Sequence, residues 1–171
     1  PELPGPVIIG LDTSGSMSGV SIVQAKEATA FAISRLKPGD RFNVIEFNSH
    51  ARSLFPAPMP ADPATTAAAQ RFVTGLRANG GTEMKPALTA ALAPESLPGY
   101  ARQVFFLTDG AVGNENELLK LIRANLGDRR LYTIAIGPAP NAWFIRKAAQ
   151  FGRGTSTFIG DVRDVRERMT A

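Results

Sequence analysis

The sequence predicts an α/β domain of the doubly wound kind: a mostly parallel central sheet with one antiparallel edge strand and helices on both faces. Three observations carry this expectation. The runs Val7–Leu11, Val104–Leu107 and Leu131–Ile136 are almost wholly apolar and rich in β-branched or aromatic residues, as suits strands buried on both faces. Helical patterns lie between them, so strand and helix alternate along the chain. Polar residues gather just after the apolar runs, where open α/β sheets bind ligands.

In order, Val7–Leu11 is the first strand. Ile22–Leu36 follows with Ile22, Ala25, Thr29, Ile33 and Leu36 at helical spacing, and "KPGD" stops it. Arg41–Phe47 alternates apolar and polar residues more than the other runs, which places it nearer an edge. Ala51–Phe55 comes after "NSH" and reads as the second arm of a hairpin, the antiparallel edge strand. The proline-rich "FPAPMPADP" carries the chain to an alanine-rich helix, Pro63–Leu76, with Phe72 and Leu76 at i,i+4. A helix over Glu83–Leu92 leads to the strand Val104–Leu107. Leu118, Ile122 and Leu126 mark a helix over Glu117–Leu126 with Asn114 as its cap. After Leu131–Ile136 come helices at Trp143–Phe151 and Val162–Met169.

Composition bounds the chemistry. A chain of 171 residues is the size of one domain, long enough to bury roughly 70% of its unfolded surface, so it needs no staple. It has no cysteine, which excludes disulfide scaffolds and thiolate metal sites, and its one histidine, His50, speaks against a histidine-rich zinc or copper site. The net charge is +4, but the cations are dispersed; the densest group, Arg163, Arg166 and Arg168, alternates with Asp161, Asp164 and Glu167. That is a solvated helix face, not a nucleic-acid track. No apolar run approaches the ~18 residues of a membrane span, and no signal peptide is visible. Residues 1–171 read as a single domain excised from a larger multidomain protein.

The informative residues follow the strands. After the first come Asp12, Ser14 and Ser16 in "LDTSGSMSG"; after Val104–Leu107 comes Asp109 in "TDG"; and Thr82 stands behind two glycines in "NGGTEM". These five are hard oxygen donors without nitrogen or sulfur, a set that suits magnesium, manganese or calcium. Short neutral hydroxyls favour a compact octahedral ion, and calcium generally draws on more carboxylates, so Mg²⁺ or Mn²⁺ is preferred over Ca²⁺. An ion with so few charged ligands stays electropositive and open to a carboxylate from another molecule. Gly15 is expected to turn the chain sharply and Gly81 to let backbone approach closely.

Rival chemistries lack their residues. No G-x-x-x-x-G-K-[ST] phosphate loop is present, and the centre of "GSMSG" is Met17, not the serine of a nucleophile elbow. His50 falls in a hairpin expected to lie away from the site. A haloacid-dehalogenase type phosphatase would need D-x-D, but the second acid is replaced by Ser14, whose hydroxyl cannot act as the proton-transferring acid and base.

"DTSGSM", "GGTEM" and "LTDG" resemble the metal-ion-dependent adhesion site of von Willebrand factor type A (VWA) domains, D-x-S-x-S followed by Thr and Asp. The resemblance covers essentially the whole chain. "LKPGDRFNVIEFNS", "GLRANGGTEM", "IGPAPNAWFIRKAAQFGRGTSTFIG" and "DVRERM" look most like the inter-alpha-trypsin inhibitor heavy chain-like branch, among bacterial proteins that carry a VIT domain ahead of this one. The resemblance implies direct metal ligation by Ser14 and Ser16, ligation by Thr82 in the ligand-bound state, and action through water for Asp12 and Asp109. A partner's Glu or Asp would complete the shell. Thr13, Met17, Ser18, Glu83 and Met84 would flank the rim, where Glu83 either repels an acidic ligand or caps its helix, the cap being preferred. The family also implies that movement of the last helix, here Val162–Met169, is coupled to the metal. The expectation is a monomeric, non-enzymatic adhesion or protein-binding module outside the cytoplasm, binding no nucleic acid and inserting in no membrane. Its alternatives are a cytoplasmic assembly factor working with an ATPase, as cochelatases do, and a Mg²⁺-dependent phosphatase.

Overall fold

The computed structural model describes residues 3–92, 100–127, 129–137 and 140–159; the expected closing helix Val162–Met169 lies outside them. The strands are β1 (Leu3–Asp12), β2 (Arg41–Phe47), β3 (Ala51–Ser53), β4 (Met59–Pro60), β5 (Tyr100–Thr108), β6 (Arg130–Ile136) and β7 (Arg153–Ile159). They form one sheet in the order β3-β2-β1-β5-β6-β7, with β4 also paired to β2. β1, β2, β5, β6 and β7 run parallel; β3 and β4 pair antiparallel with β2. The doubly wound fold with one antiparallel edge is therefore as the sequence predicts, but that edge is built from two short pieces. The second comes from the stretch expected to be connection alone. β7 was expected as no element at all.

The helices are α1 (Val20–Ser34), α2 (Pro63–Thr74), α3 (Met84–Ala91), α4 (Glu115–Asn125) and α5 (Ala142–Phe151). Strand alternation sends successive side chains to opposite faces, and the two cores follow from it. Ile8, Ile45, Phe47, Val104 and Phe106 pack under α3, α4 and α5. Ile9, Leu11, Phe42, Val44, Leu107 and Ile134 pack under α1 and α2. α2 starts as its sequence dictates: Asp62 accepts from the Thr65 N–H at 2.8 Å, the Thr65 hydroxyl accepts from the Asp62 N–H at 2.9 Å, and Pro63 opens the first turn. Lys26 of α1 closes the other end of α2, its Nζ donating to the carbonyls of Thr74 and Leu76. Two expected caps differ. Asn114 and Glu83 occupy the N-cap positions of α4 and α3, but neither side chain makes a capping bond; the Asn114 amide donates to Glu117 instead.

This topology fixes where a ligand belongs. From β1 the chain leaves through α1 to β2 on one side, whereas β5, β6 and β7 continue on the other. The carboxyl ends of the adjacent strands β1 and β5 thus form the switch point, with a crevice between their diverging loops. Asp12 ends β1 and Asp109 follows β5.

Candidate metal centre

Asp12 is fully buried, and Thr13 and Ser14 are buried beside it. Both Asp12 oxygens accept hydrogen bonds: Oδ1 from the Ser14 N–H at 2.8 Å and Oδ2 from the Thr108 hydroxyl at 2.6 Å. Thr108 in turn accepts from the Gly110 N–H at 2.9 Å, so one hydroxyl joins the end of β1 to the loop after β5. Burial pushes the Asp12 carboxyl above its ordinary 3.8; the Ser14 and Thr108 bonds pull it back in part, and the nearby Asp109 charge raises it further. Among the described residues neither Asp12 nor Asp109 has a cationic partner, since the ion pairs formed are Arg52–Glu46 and Lys85–Glu117. A buried acid beside a second acid is costly to ionise unless a cation joins it.

The residues from Gly15 to Met17 form a short 3-10 turn that brings the two serines to one side, their hydroxyl oxygens 3.0 Å apart. Ser14 is buried and Ser16 exposed, so the pair points from the interior to the rim. Thr82 is half-buried on the neighbouring loop. That loop is tied to the serine loop by Gly15 N–H to the Gly80 carbonyl at 2.8 Å and Asn79 N–H to the Thr13 carbonyl at 2.7 Å. Asp109 is half-buried and accepts from the Ala111 N–H at 3.0 Å, while its carbonyl accepts from Asn141 N–H at 2.7 Å. The loops bearing all five predicted donors therefore meet at one rim.

Several flanking expectations change. Thr13, Met17 and Met84 face inward: the Thr13 hydroxyl donates to the Phe47 carbonyl, and the two methionines lie in the two cores. Only Ser18 and Glu83 of that group are exposed. The Asn48–His50 turn is at the rim, not away from it. Asn48 donates to the Thr13 hydroxyl at 3.2 Å and its carbonyl accepts from Glu83 N–H at 2.6 Å; the Ser49 hydroxyl accepts from Gly81 N–H at 2.8 Å. Thr108, Asn48, Ser49 and Asn141 are thus supporting residues that sequence reading missed. Asn141 had a readable signal, an asparagine opening an apolar helix, and it accepts from Phe144 N–H.

The glycine requirement also moves. Gly80, not Gly81, has φ +79°, and a Cβ there would stand 2.8 Å from the Ser49 hydroxyl; Gly15 is held by proximity to the Gly80 carbonyl, 3.3 Å from where its Cβ would be. Gly80→Ala is expected to cost about 1–2 kcal/mol from the left-handed backbone alone, read as a lower urea midpoint with an unchanged slope.

The donor chemistry fits a small hard cation. Neighbouring oxygens of an octahedral shell with bonds of roughly 2.0–2.1 Å stand about 2.9 Å apart, close to the serine spacing. No group of three or more His, Cys, Asp or Glu side chains forms among the described residues, so a site here relies on hydroxyls.

The pattern of the von Willebrand factor type A domain matches residues 5–158. The chain belongs to this family. A VWA domain-containing protein of Dictyostelium discoideum is 31% identical over 163 residues, 95% of this chain but 18% of that protein. The solved VWA protein of Catenulispora acidiphila superposes with a TM-score of 0.84 at 30% identity, over 96% of this chain and 41% of that one. The manganese-loaded Plasmodium vivax TRAP protein shares the fold, with a TM-score of 0.70 at 18% identity over 95% of this chain and 71% of that one. The chain thus spans less than a fifth of the length of the Dictyostelium relative.

Proposed function

We propose that this VWA domain is a non-enzymatic protein-binding module whose partner offers a Glu or Asp carboxylate to a divalent cation held at the rim. The observation that carries this reading is Asp12: a fully buried acid, without a cationic partner among the described residues, behind two hydroxyls spaced as neighbouring ligands. Ser14, Ser16 and Thr82 would hold Mg²⁺ or Mn²⁺, with Asp12 and Asp109 one step behind through water. Because both Asp12 oxygens already accept hydrogen bonds, its part is to orient Ser14 and supply charge. When bound, the cation supplies a Lewis-acidic position for the incoming carboxylate. Asp109 shapes the far wall, its carboxylate fixed by Ala111 and its backbone by Asn141.

The metal preference rests on donor type, and a protein of the same fold has been solved loaded with manganese. The branch is proposed to be the inter-alpha-trypsin inhibitor heavy chain-like one and the location extracytoplasmic, both on the resembling stretches quoted above. Among the described residues no helix is long and apolar enough to cross a membrane.

Thermal unfolding with Mg²⁺ and Mn²⁺ tests the reading. Cation at 100 times its Kd should stabilise the domain by about 2.7 kcal/mol, roughly 5–10 °C in Tm for a chain of this size. An unchanged Tm at millimolar concentrations of both ions would overturn it.

A further inference from the structure

On the sheet face opposite α1 and α2, residues of α4 and α5 line an open groove of about 380 Å³. Its α4 wall carries Leu119, Lys120 and Arg123; its α5 wall carries Trp143, Lys147 and Phe151 at i, i+4 and i+8. None of the five rim donors lines it. Leu119 is buried, whereas Trp143 is 51% exposed, more than any phenylalanine or tyrosine among the described residues. Arg123, exposed, has its guanidinium carbon 5.4 Å from the centre of the Phe151 ring, a cation–π distance. Among the described residues no Asp or Glu lines the groove, and Lys120, Arg123 and Lys147 form no ion pair. The two described acids of α4 are engaged elsewhere, Glu117 with Lys85 and Glu115 with the Asn141 amide.

We propose that the α4–α5 groove is a second docking surface, for an acidic–apolar protein segment that lays a large apolar side chain against Trp143 and Phe151 and sets carboxylates on Lys120, Arg123 and Lys147. Charge complementarity and shape select this occupant. The floor is apolar and concave, and aromatic and arginine residues are those that anchor protein interfaces. The α4 stripe from Asn116 to Arg123 is about 11 Å long at 1.5 Å per residue, room for three or four extended residues. A nucleic-acid strand would meet only three cations there, and a bilayer would meet a recess between helices with one exposed aromatic. This surface is independent of the cation reading.

Trp143 is the sole tryptophan, so emission excited at the red edge, where tyrosine does not absorb, reports this groove. The probe is a synthetic octapeptide with phenylalanine and leucine set among glutamates, titrated at low salt into the domain. A saturable shift of tryptophan emission is expected, at least tenfold weaker in affinity for the Lys120→Glu/Arg123→Glu double variant and unchanged for Asp12→Asn. Should the charge reversals impair folding, the neutral pair Lys120→Gln/Arg123→Gln serves, with about a threefold loss expected. The same peptide with lysines for glutamates should give no shift. No saturable shift with the acidic peptide, equal binding by the variants, or tighter binding to phosphatidylserine vesicles or a single-stranded oligonucleotide would each overturn the proposal.

Discussion

Asp12→Asn should abolish the cation-induced rise in Tm while making the metal-free domain more stable at neutral pH. The two effects have one cause. The asparagine is nearly isosteric: its oxygen can still accept from the Ser14 N–H, and its amide can donate to the Thr108 hydroxyl that now donates to Asp12. What disappears is a buried charge that has no counter-cation among the described residues. The sign follows from linkage. The Asp12 pKa is raised in the folded state from 3.8, so between 3.8 and the raised value the folded chain binds more protons than the unfolded one. Stability therefore falls as pH rises through that window and stays lower above it. Asp12→Asn removes this dependence, and the difference between variant and parent in urea midpoint should grow over the same window. With cation present the order reverses, because the parent regains about 2.7 kcal/mol at 100 times Kd and the variant nothing. A variant that keeps the full cation response would separate Asp12 from the site.

Phe106→Ala should be the most destabilising single change considered, about 3–5 kcal/mol, with the cation response intact. Phe106 is fully buried, tilts against Phe47 at 5.6 Å, and lies on the backbone of β1 at Gly10, where a Cβ would stand 2.7 Å from its ring. The absent side chain at Gly10 is the space the ring occupies. Gly10→Ala alone should therefore destabilise by overpacking, yet added to Phe106→Ala it should cost less than it does in the parent, since the methyl then enters the void. A double-mutant cycle in urea reads this coupling; strict additivity would show that the two positions do not share the space.

What the sequence made legible follows from what is local. Val7–Leu11, Val104–Leu107 and Leu131–Ile136 are buried on both faces, so every residue carries the signal. β7, "RGTSTFI", is half-exposed with mostly small and hydroxyl side chains, and its apolar content is too thin to register. Met59–Pro60 pairs with β2 only because the hairpin returns alongside it, and flanking prolines hide so short a bridge. The order Asp12, Ser14, Ser16, Thr82, Asp109 was readable because strand ends collect on one edge of such a sheet. Thr108 was not: it ends an apolar run, and its value lies in Asp12, 96 residues away. Asn48 and Ser49 look like turn residues and are, but they also hold Thr13 and Gly81 across 35 and 32 positions. Glu83 and Asn114 stand where caps stand, but the Glu83 N–H is drawn to the Asn48 carbonyl and the Asn114 amide to Glu117 in its own first turn.

The loops of the rim are joined to one another by backbone bonds: Gly15 to Gly80, Asn79 to Thr13, Glu83 to Asn48 and Asn141 to Asp109. A receptacle assembled in this way needs no folding step when an ion arrives, so its association should show a single kinetic phase. The slow event is then the ion's own loss of water. Magnesium dehydrates reluctantly, so stopped-flow mixing should find manganese entering faster than magnesium at equal concentration, with no lag in either trace.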